Sequence, residues 1–307
     1  MPSPIAFGAT SARSWGFGVR VGGADATVGI FALGRNNCTL STIRNKYTYA
    51  SDTSGTATAS SANSCSGSAA SNSTRGIFAI GNNTTTRNKY TFACDANAIA
   101  TAACVNSRKG SAAGNSTRGI FAIGCAAGSQ SSTRNKYTYS ADTSGAATAA
   151  TAATTEQSAV GNSTRGIFAL AFDGSAGSFT RNKYTYASDT NCTATSSSAR
   201  SRSGSAAGNS TRGIFAMGNT SLIRNKYTYA CDANAVATSA STPSMYGSAA
   251  GNSTRGIFAL GNSCTAAPLT TRNKYTYACD TNGTGAVASN PSAYGSAASN
   301  GTCGVNV

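Results

Sequence analysis

Two short apolar segments recur along the chain, and both alternate their side chains in the manner of β-strands. In residues 74–80 (TRGIFAI), Arg75 and Ile77 lie on one side of an extended strand and Phe78 on the other. Residues 87–95 (RNKYTFACD) alternate in the same way and are rich in Tyr, Phe and Thr, which favour strands. Clusters of Gly, Asn and Ser bound both segments and indicate tight turns. The pattern therefore predicts antiparallel strands and does not favour helices.

Both segments occur six times at a nearly constant spacing. The phenylalanines of the first segment are Phe31, Phe78, Phe121, Phe168, Phe215 and Phe258, separated by 47, 43, 47, 47 and 43 residues. A period of this length is typical of a repeat architecture. A GSAAG segment and a Thr/Ser/Ala segment supply two weaker strands per repeat. Four short strands per repeat predict an all-β, six-bladed β-propeller of four-stranded antiparallel blades. Another β-repeat body is the alternative.

The two ends of the chain predict how the ring closes. Residues 295–307 (GSAASNGTCGVNV) copy the opening of a repeat, so we expect them to form a ring-closing strand beside residues 28–33. Closure removes two exposed sheet edges. The expected organisation is an N-terminal arm or outer strand (1–27), a six-repeat propeller (28–294) and the closing strand (295–307). Trp15, the only Trp, is the expected anchor of the arm.

The first segment also carries a resemblance to known proteins. A Ser/Thr-Arg-Gly-aromatic strand stands at Thr74–Phe78, Thr117–Phe121, Thr164–Phe168, Thr211–Phe215 and Thr254–Phe258. Followed by a Tyr-rich strand, it resembles the kelch blade and, more closely, the short-blade propellers of tailed bacteriophages, especially those of cyanobacteria. The chain lacks the paired Gly and the Trp of each kelch blade. The resemblance covers residues 28–307 and implies a propeller fold and a component of a virus particle.

Charge is scarce and strongly basic, with 24 Lys+Arg against 9 Asp+Glu and a formal net charge of +15. Most of these charges recur in every repeat. We predict that they form a structural ladder of charge-assisted bonds between blades; this requires an unbroken strand from Arg44 to Asp52, with Lys46 on the same face. An anionic partner is the alternative interpretation. The predicted ladder residues are Arg44, Lys46, Asp52, Arg87, Lys89, Asp95, Arg134, Lys136, Asp142, Arg181, Lys183, Asp189, Arg224, Lys226, Asp232, Arg272, Lys274 and Asp280.

The residue types give no sign of catalytic chemistry. The chain has no His, which removes the usual general base, and it has no CxxC pair to bind zinc. Cys94, Cys231 and Cys279 occupy a repeat position that elsewhere holds Ser or Ala, which predicts a small buried side chain. Free thiols are expected for the ten Cys, with a few disulfides as the alternative. The NST triplets predict turns. We expect no enzyme activity, no catalytic or metal-binding residue and no cofactor.

Function is expected where the repeat varies. Two patches differ in every repeat, one between the two apolar segments and one before each GSAAG segment, and variable loops on a fixed scaffold are typical of binding surfaces. The predicted docking residues are Trp15, Arg108, Lys109, Arg200 and Arg202.

We predict a non-enzymatic structural protein of a bacteriophage virion, in the tail, baseplate, fibre or capsid surface, that docks on other virion proteins. A module that binds host-surface glycan is the alternative. No signal peptide is visible, so the chain is expected to be made in the host cytoplasm and located in the virion. No apolar run reaches the roughly 18 residues of a membrane span, so we expect no membrane insertion. The basic clusters are too small to predict nucleic-acid binding.

Overall fold

The predicted propeller is confirmed by a computed structural model, which describes residues 27–36, 39–262 and 268–300. These residues form six sheets of four antiparallel strands, one sheet for each blade. One strand of each sheet contacts its counterparts in both neighbouring blades, so these six inner strands surround the central axis. Within the described ranges, no helix is long and apolar enough to cross a membrane.

Each blade runs from an inner strand at the axis to an outer strand at the periphery. In blade order, the inner strands are Ser296–Ser299, Ser68–Ser71, Ser111–Gly114, Ser158–Gly161, Ser205–Gly208 and Ser248–Gly251. The second strands are Val28–Ala32, Arg75–Ala79, Arg118–Ala122, Arg165–Ala169, Arg212–Ala216 and Arg255–Ala259. The third strands are Arg44–Thr48, Arg87–Thr91, Arg134–Thr138, Arg181–Thr185, Arg224–Thr228 and Arg272–Thr276. The outer strands are Thr53–Ala57, Ala96–Ala100, Thr143–Ala147, Thr190–Ala194, Ala233–Ala237 and Thr281–Gly285.

Two further hairpins of two-residue strands extend from the loops between second and third strands. Arg35–Asn36 pairs with Thr39–Leu40 in blade 1, and Cys125–Ala126 pairs with Ser129–Gln130 in blade 3.

The hydrophobic core is divided among the interfaces between blades. At one interface, Phe121 and Tyr137 of blade 3 pack against Ala70 and Ile77 of blade 2. Equivalent clusters fill the other five interfaces, including the one between blades 6 and 1. Each sheet is therefore covered on both faces, which explains why almost every residue of the second strands is buried despite their alternation.

Small residues near the axis allow the blades to approach each other closely. A Cβ atom placed on Gly119 would lie only 2.9 Å from the Cβ of Ala70 in the neighbouring blade. Such a contact is too short for two carbon atoms, which separate optimally at about 3.5–4.0 Å. The Gly of the RGIFA segment is therefore required by the packing of one blade against the next.

The first blade combines the two ends of the described chain. Its inner strand, Ser296–Ser299, pairs antiparallel with its second strand, Val28–Ala32. The side-chain oxygen of Asn300 accepts hydrogen bonds from the backbone amides of Thr27 (2.8 Å) and Val28 (3.0 Å). In the other blades, one Asn accepts the same two hydrogen bonds within a continuous turn, as Asn115 does in blade 3. In blade 1 the two ends of the described chain therefore meet inside this turn and keep its hydrogen bonds.

Some predictions lie outside the described residues or differ from the structure. Trp15, the rest of residues 1–26 and the end of the tail, 301–307, lie outside it, and the proposed domain boundaries stay a prediction. Among the described thiols, all seven are free, but Cys94, Cys231 and Cys279 are exposed and not buried as predicted. They lie in turns after the third strand, where no neighbouring blade covers them.

Candidate functional site on the variable face

The two ends of the propeller carry different loops, because antiparallel strands reverse direction at every turn. One end, here called the variable face, carries the loops between second and third strands and the crossovers from each outer strand to the next inner strand. The opposite end, the constant face, carries the turns between inner and second strands and between third and outer strands. Both variable patches of the sequence therefore lie on the same face.

The repeated Lys and Asp residues form a closed circle of ion pairs between neighbouring blades. The Nζ atom of Lys136, for example, lies 2.7 Å from Oδ2 of Asp189 in the next blade. The pairs are Lys46–Asp95, Lys89–Asp142, Lys136–Asp189, Lys183–Asp232, Lys226–Asp280 and Lys274–Asp52. These twelve ladder residues are thus engaged with each other.

Each Asp also ties its own turn to the preceding blade. Asp52 accepts hydrogen bonds from the hydroxyl of Tyr47 in its own blade and from the amide of Ala286 (3.0 Å). Burial raises the pKa of Asp52, but the bonds from Lys274, Tyr47 and Ala286 outweigh it and lower the pKa to about 2. All six Asp residues have a φ close to +50°, a left-handed conformation that Asp tolerates better than most residues. They are structural turn residues as well as ion-pair partners.

The repeated Arg residues of the third strands do not join this circle. The expected unbroken strand from Arg44 to Asp52 does not occur, because the strand ends at Thr48 and a turn follows. Arg134, which is fully buried, donates from Nη1 to Asn191 (2.8 Å) and from Nη2 to Asn182 (3.2 Å) of the next blade.

The same guanidinium lies 4.3 Å from the ring centre of Phe168 in the next blade, and this cation–π contact offsets part of the cost of burying the charge. Burial lowers the pKa of Arg134 to about 10. Arg44, Arg87, Arg181, Arg224 and Arg272 are buried over the equivalent rings. All six therefore join neighbouring blades through aromatic rings and neutral polar groups; in Arg87 the polar group is the hydroxyl of Ser144 (2.9 Å).

The NST triplets form the turns between inner and second strands on the constant face. The side-chain oxygen of Asn115 accepts hydrogen bonds from the amides of Thr117 and Arg118, both at 3.0 Å, and its Nδ2 donates to the carbonyl of Ser163 in the next blade (3.1 Å). Arg118 in turn donates from Nη1 to the carbonyl of Tyr186 in the next blade (3.0 Å). These Asn nitrogens are held between blades, so the triplets act as turns and not as free glycosylation acceptors.

On the variable face, six backbone hydrogen bonds form a ring around the axis. In each blade, the amide of the residue two positions before the inner strand donates to the carbonyl of its counterpart in the preceding blade, over 2.8–2.9 Å. All six residues adopt a left-handed conformation with φ between +54° and +61°. This axial ring consists of Ser66, Lys109, Glu156, Ser203, Tyr246 and Tyr294. The backbone of the axial ring is the same in every blade, whereas its side chains differ from blade to blade.

Glu156, the only Glu of the chain, is the centre of a buried ion-pair cluster in the axial ring. It is 5% exposed and accepts hydrogen bonds from Lys109 Nζ (2.6 Å), Arg202 Nε (2.9 Å) and Ser203 Oγ (2.7 Å). Burial raises the pKa of Glu156, but these three bonds outweigh it and lower the pKa below its usual value. The carboxylate is therefore charged and fully engaged at neutral pH.

The opposite side of the axial ring is aromatic. Tyr246 and Tyr294 stack with their ring centres 3.9 Å apart and an angle of 23° between the rings. The guanidinium of Arg35 lies 6.0 Å from the centre of the Tyr294 ring. Burial and the hydrogen bond with Tyr246 raise the pKa of Tyr294, so its phenol is neutral at pH 7. The axial ring thus has a charged half and an aromatic half.

Four of the five predicted docking residues lie on the variable face. Lys109 and Arg202 meet at Glu156, so they form part of a buried cluster as well as a surface. Arg108 and Arg200 are exposed; Arg200 donates from Nη1 to the carbonyl of Gly177 (3.1 Å) and lies over the ring of Phe179.

The sequence did not lead us to predict four residues of this face, namely Glu156, Tyr246, Tyr294 and Arg35. The first three share a position in the repeat. The signal was a repeat position, directly before the GSAAG segment or its equivalent, that holds Ser, Lys, Glu, Ser, Tyr and Tyr in the six repeats.

In the described part of the chain, no three His, Cys, Asp or Glu residues gather in a way that could hold a metal ion. The axial ring surrounds a cavity of only about 30 Å³. The axis of the variable face is therefore shallow, whereas a larger cavity of about 500 Å³ lies elsewhere on this face, where Leu33 and residues 39–43 of blade 1 meet Asn63, Asn290 and Pro291.

The comparisons with known proteins concern the fold. No protein-family model and no curated protein matches the sequence. Among solved structures, that of YjhT is similar, with a TM-score of 0.64 and 9% sequence identity, over 78% of this chain and 88% of that chain. At this identity the likeness shows the fold alone. By its fold, the chain is a six-bladed β-propeller.

Proposed function

We propose that this protein is a non-enzymatic docking module of a bacteriophage particle, which binds other virion proteins through its variable face. The observation that carries the proposal is the confinement of both variable patches to one end of the propeller. The core and the ion-pair circle repeat in every blade, so the differences in loop length between blades are concentrated on the variable face. The virion setting rests on the resemblance of the Ser/Thr-Arg-Gly-aromatic strand.

The engagement of the acidic groups supports a role without catalysis. Six of the eight described carboxylates are in the ion-pair circle, and Glu156 is held by three donors. The eighth, Asp173, accepts hydrogen bonds from Ser175 and Ala176 within its own turn. A general acid or base needs a pKa close to the working pH, whereas none of these carboxylates has its pKa raised.

The virion assignment is tested by a protein inventory of purified phage particles by mass spectrometry. We expect this chain at stoichiometric levels, and its absence from intact particles would overturn the assignment. Docking is then mapped by cross-linking within the particle. Cross-links should come from variable-face loops such as residues 80–86 and 123–133, and a dominance of constant-face cross-links would contradict docking through the variable face.

A second candidate is binding of a host-surface glycan, and the charge of the variable face favours it. The described residues of this face include five basic side chains and two acidic ones. The basic residues are Arg35, Arg108, Lys109, Arg200 and Arg202, and the acidic ones are Glu156 and Asp173. Binding of the isolated protein to a glycan array should decrease as salt is added. Binding that is unchanged by added salt and equal for charged and neutral glycans would contradict this candidate.

A further inference from the structure

The loops between second and third strands on the variable face differ in length around the ring. Phe78 and Arg87 of blade 2 are nine positions apart in sequence, as are Phe215 and Arg224 of blade 5. The corresponding separation is 13 in blades 1, 3 and 4 and 14 in blade 6. In a ring of six, blades 2 and 5 lie directly opposite each other. Two short loops therefore face one another across the axis, with a pair of long loops on either side.

The short loops are the tightest turns that can join two strands. In blade 2, the amide of Thr84 donates to the carbonyl of Gly81 (3.0 Å), and only Asn82 and Asn83 stand between them. Both have positive φ, as a two-residue hairpin turn requires. Blade 5 repeats this turn, with a 2.9 Å bond from Ser221 to Gly218.

In blades 1, 3 and 6 the long loop grows from the same base, whereas in blade 4 the amide of Ser178 donates to the carbonyl of Ser201 (3.2 Å). In blade 3, the amide of Ser131 donates to the carbonyl of Gly124 (2.8 Å), but six residues, 125–130, now form a hairpin above that bond. Two additional residues on each arm raise the tip by roughly 7 Å, at a rise of about 3.3 Å per residue. The loops of blades 1, 4 and 6 are at least as long in sequence.

The low surface between the short loops of blades 2 and 5 continues along a line across the axial ring. Its members in these two blades are Ser66 and Ser203, the smallest side chains of the six. Lys109 and Glu156 of blades 3 and 4 stand on one side of this line. Tyr246 and Tyr294, which lead into blades 6 and 1, stand on the other. The face thus has a groove that runs from blade 2 across the axis to blade 5, with one charged wall and one aromatic wall.

We propose that this groove binds an extended acidic glycan chain. The cavity at the axis, in the middle of the groove, holds only about 30 Å³, which suits a linear polymer lying across it and not a small ligand enclosed there. This inference rests on the glycan-binding candidate and is independent of the virion assignment.

The floor of the groove favours a polyhydroxylated ligand over a peptide strand. The backbone amides of Asn82 and Asn83 already donate to the carbonyls of Cys65 (2.8 Å) and Ser107 (3.1 Å), so they are not available for strand addition. What the floor exposes are side-chain amides and hydroxyls, namely those of Asn82, Asn83, Asn219 and Thr220. These groups both donate and accept hydrogen bonds, as sugar hydroxyls do.

The charge of the groove selects an acidic chain. Arg108 is exposed beside the short turn of blade 2, since the neighbouring Ser107 pairs with Thr84 of that turn. The backbone of Arg202 lies at the other end, where its carbonyl accepts the amide of Asn219 from the short turn of blade 5 (2.9 Å), while its side chain pairs with Glu156. The exposed Arg108, together with the net positive cluster of Lys109, Arg202 and Glu156, attracts a polymer that carries repeated negative charges.

The first experiment titrates the purified protein with galacturonic acid oligomers of two to eight residues, and with neutral galactose oligomers of the same lengths, by calorimetry. We expect affinity for the acidic series to rise at least about tenfold from dimer to octamer, and the neutral octamer to bind at least about tenfold more weakly than the acidic one. Equal affinity for dimer and octamer would overturn the proposal. Tighter binding of single-stranded DNA oligomers would also overturn it.

A charge reversal then locates the site. Arg108→Glu should weaken binding of the acidic octamer at least about tenfold. The matched control is Ser73→Glu/Ser116→Glu, which changes net charge by the same two units at exposed positions of the constant face. It should leave affinity within about twofold, although that face also carries repeated Arg residues. If the control weakened binding and Arg108→Glu did not, the protein would still bind glycan, but the groove would not be the binding site.

A graft blocks the groove without changing its charge. Replacing Asn82–Asn83 of blade 2 by residues 125–130 of blade 3 raises a hairpin across one end. The acidic octamer should then bind no better than a tetramer does. The matched control, Asn83→Thr, gives blade 2 the two-residue turn of blade 5 and should preserve affinity. Thermal melting verifies the fold of both variants, and undiminished octamer binding by a folded graft would overturn the proposal.

Discussion

The constant and variable faces hold neighbouring blades together by different groups. On the constant face the contacts are made by side chains, such as the bond from Asn115 to Ser163 and the bond from Arg118 to Tyr186. On the variable face every pair of neighbouring blades is joined by backbone, in the axial ring and in bridges such as the one between Thr84 and Ser107, and the side-chain cluster at Glu156 adds contacts in blades 3 to 5 only. Backbone contacts do not depend on residue type. The variable face can therefore change its sequence while the ring stays intact.

The largest effect should come from opening the ring. Deleting residues 295–307 removes the inner strand of blade 1, including the buried Ala297 and Ala298, and exposes the edge of Val28–Ala32. We expect aggregation, or a melting temperature lower by more than about 10 °C. Deleting only residues 301–307 keeps every described residue of that blade and serves as the control. A 295–307 deletion that melts like the full chain would show that the closing strand is dispensable.

Acid should weaken all six ion pairs of the circle together. The pKa of Asp52 is about 2 in the folded protein, against roughly 3.9 in an unfolded chain. Because the folded value is the lower one, this stabilisation is complete above about pH 4 and is lost as pH falls toward 2. We expect the melting temperature to be constant from pH 7 to 5 and to fall steeply below pH 4. A melting temperature that is unchanged at pH 2.5 would contradict a stabilising role for the circle.

Replacing one Asp of the ion-pair circle should reduce the stability of the protein less than protonating all six. Asp142→Ala leaves Lys89, the hydroxyl of Tyr137 and the amide of Thr101 without their acceptor. Unfolding by denaturant should show a loss of about 1–3 kcal/mol, with variable-face binding unchanged. Asp142→Asn retains acceptor oxygen and should lose about half as much. Full stability with loss of partner binding would instead make these Asp residues part of a binding surface.

The smallest effects compare the two faces directly. Asn115→Ala removes side-chain bonds of the constant face and should destabilise the protein by about 1 kcal/mol. Thr85→Ala on the variable face keeps the backbone bond from Ala103 to residue 85 (2.8 Å) and should cost less than about 0.5 kcal/mol. The two substitutions are compared by denaturant unfolding under one condition. Equal losses would remove the distinction between side-chain and backbone contacts.

Much of the fold followed from local pattern. The six blades, their strands and the turns at the NST triplets were predictable because the period and the alternation are visible within one repeat. The partners of Lys46 and Asp95 were not, since they lie in different blades. The prediction for Cys94 was wrong because interchange with Ser and Ala indicates only that a small residue is tolerated, which is also true of an exposed turn.

The candidate site was predictable only in part. The variable patches and the basic residues Arg108 and Arg202 were recognisable, but Glu156 was marked only by the variability of its repeat position, which does not reveal its partners. It lies 47 positions from Lys109 and 46 from Arg202, and the three meet only because the crossovers converge at the axis. Likewise, the short loops of blades 2 and 5 become a groove only when six repeats close into a ring.

The sequence by itself determined the repeat, the strands and the small residues that allow close blade packing, because these depend on neighbouring positions along the chain. Tertiary structure alone decided which loops share a face, which charges pair and which remain exposed. The physical reason is ring closure: it joins residues of different repeats at each interface and at the axis, and it places the two shortest loops on opposite sides of the same surface.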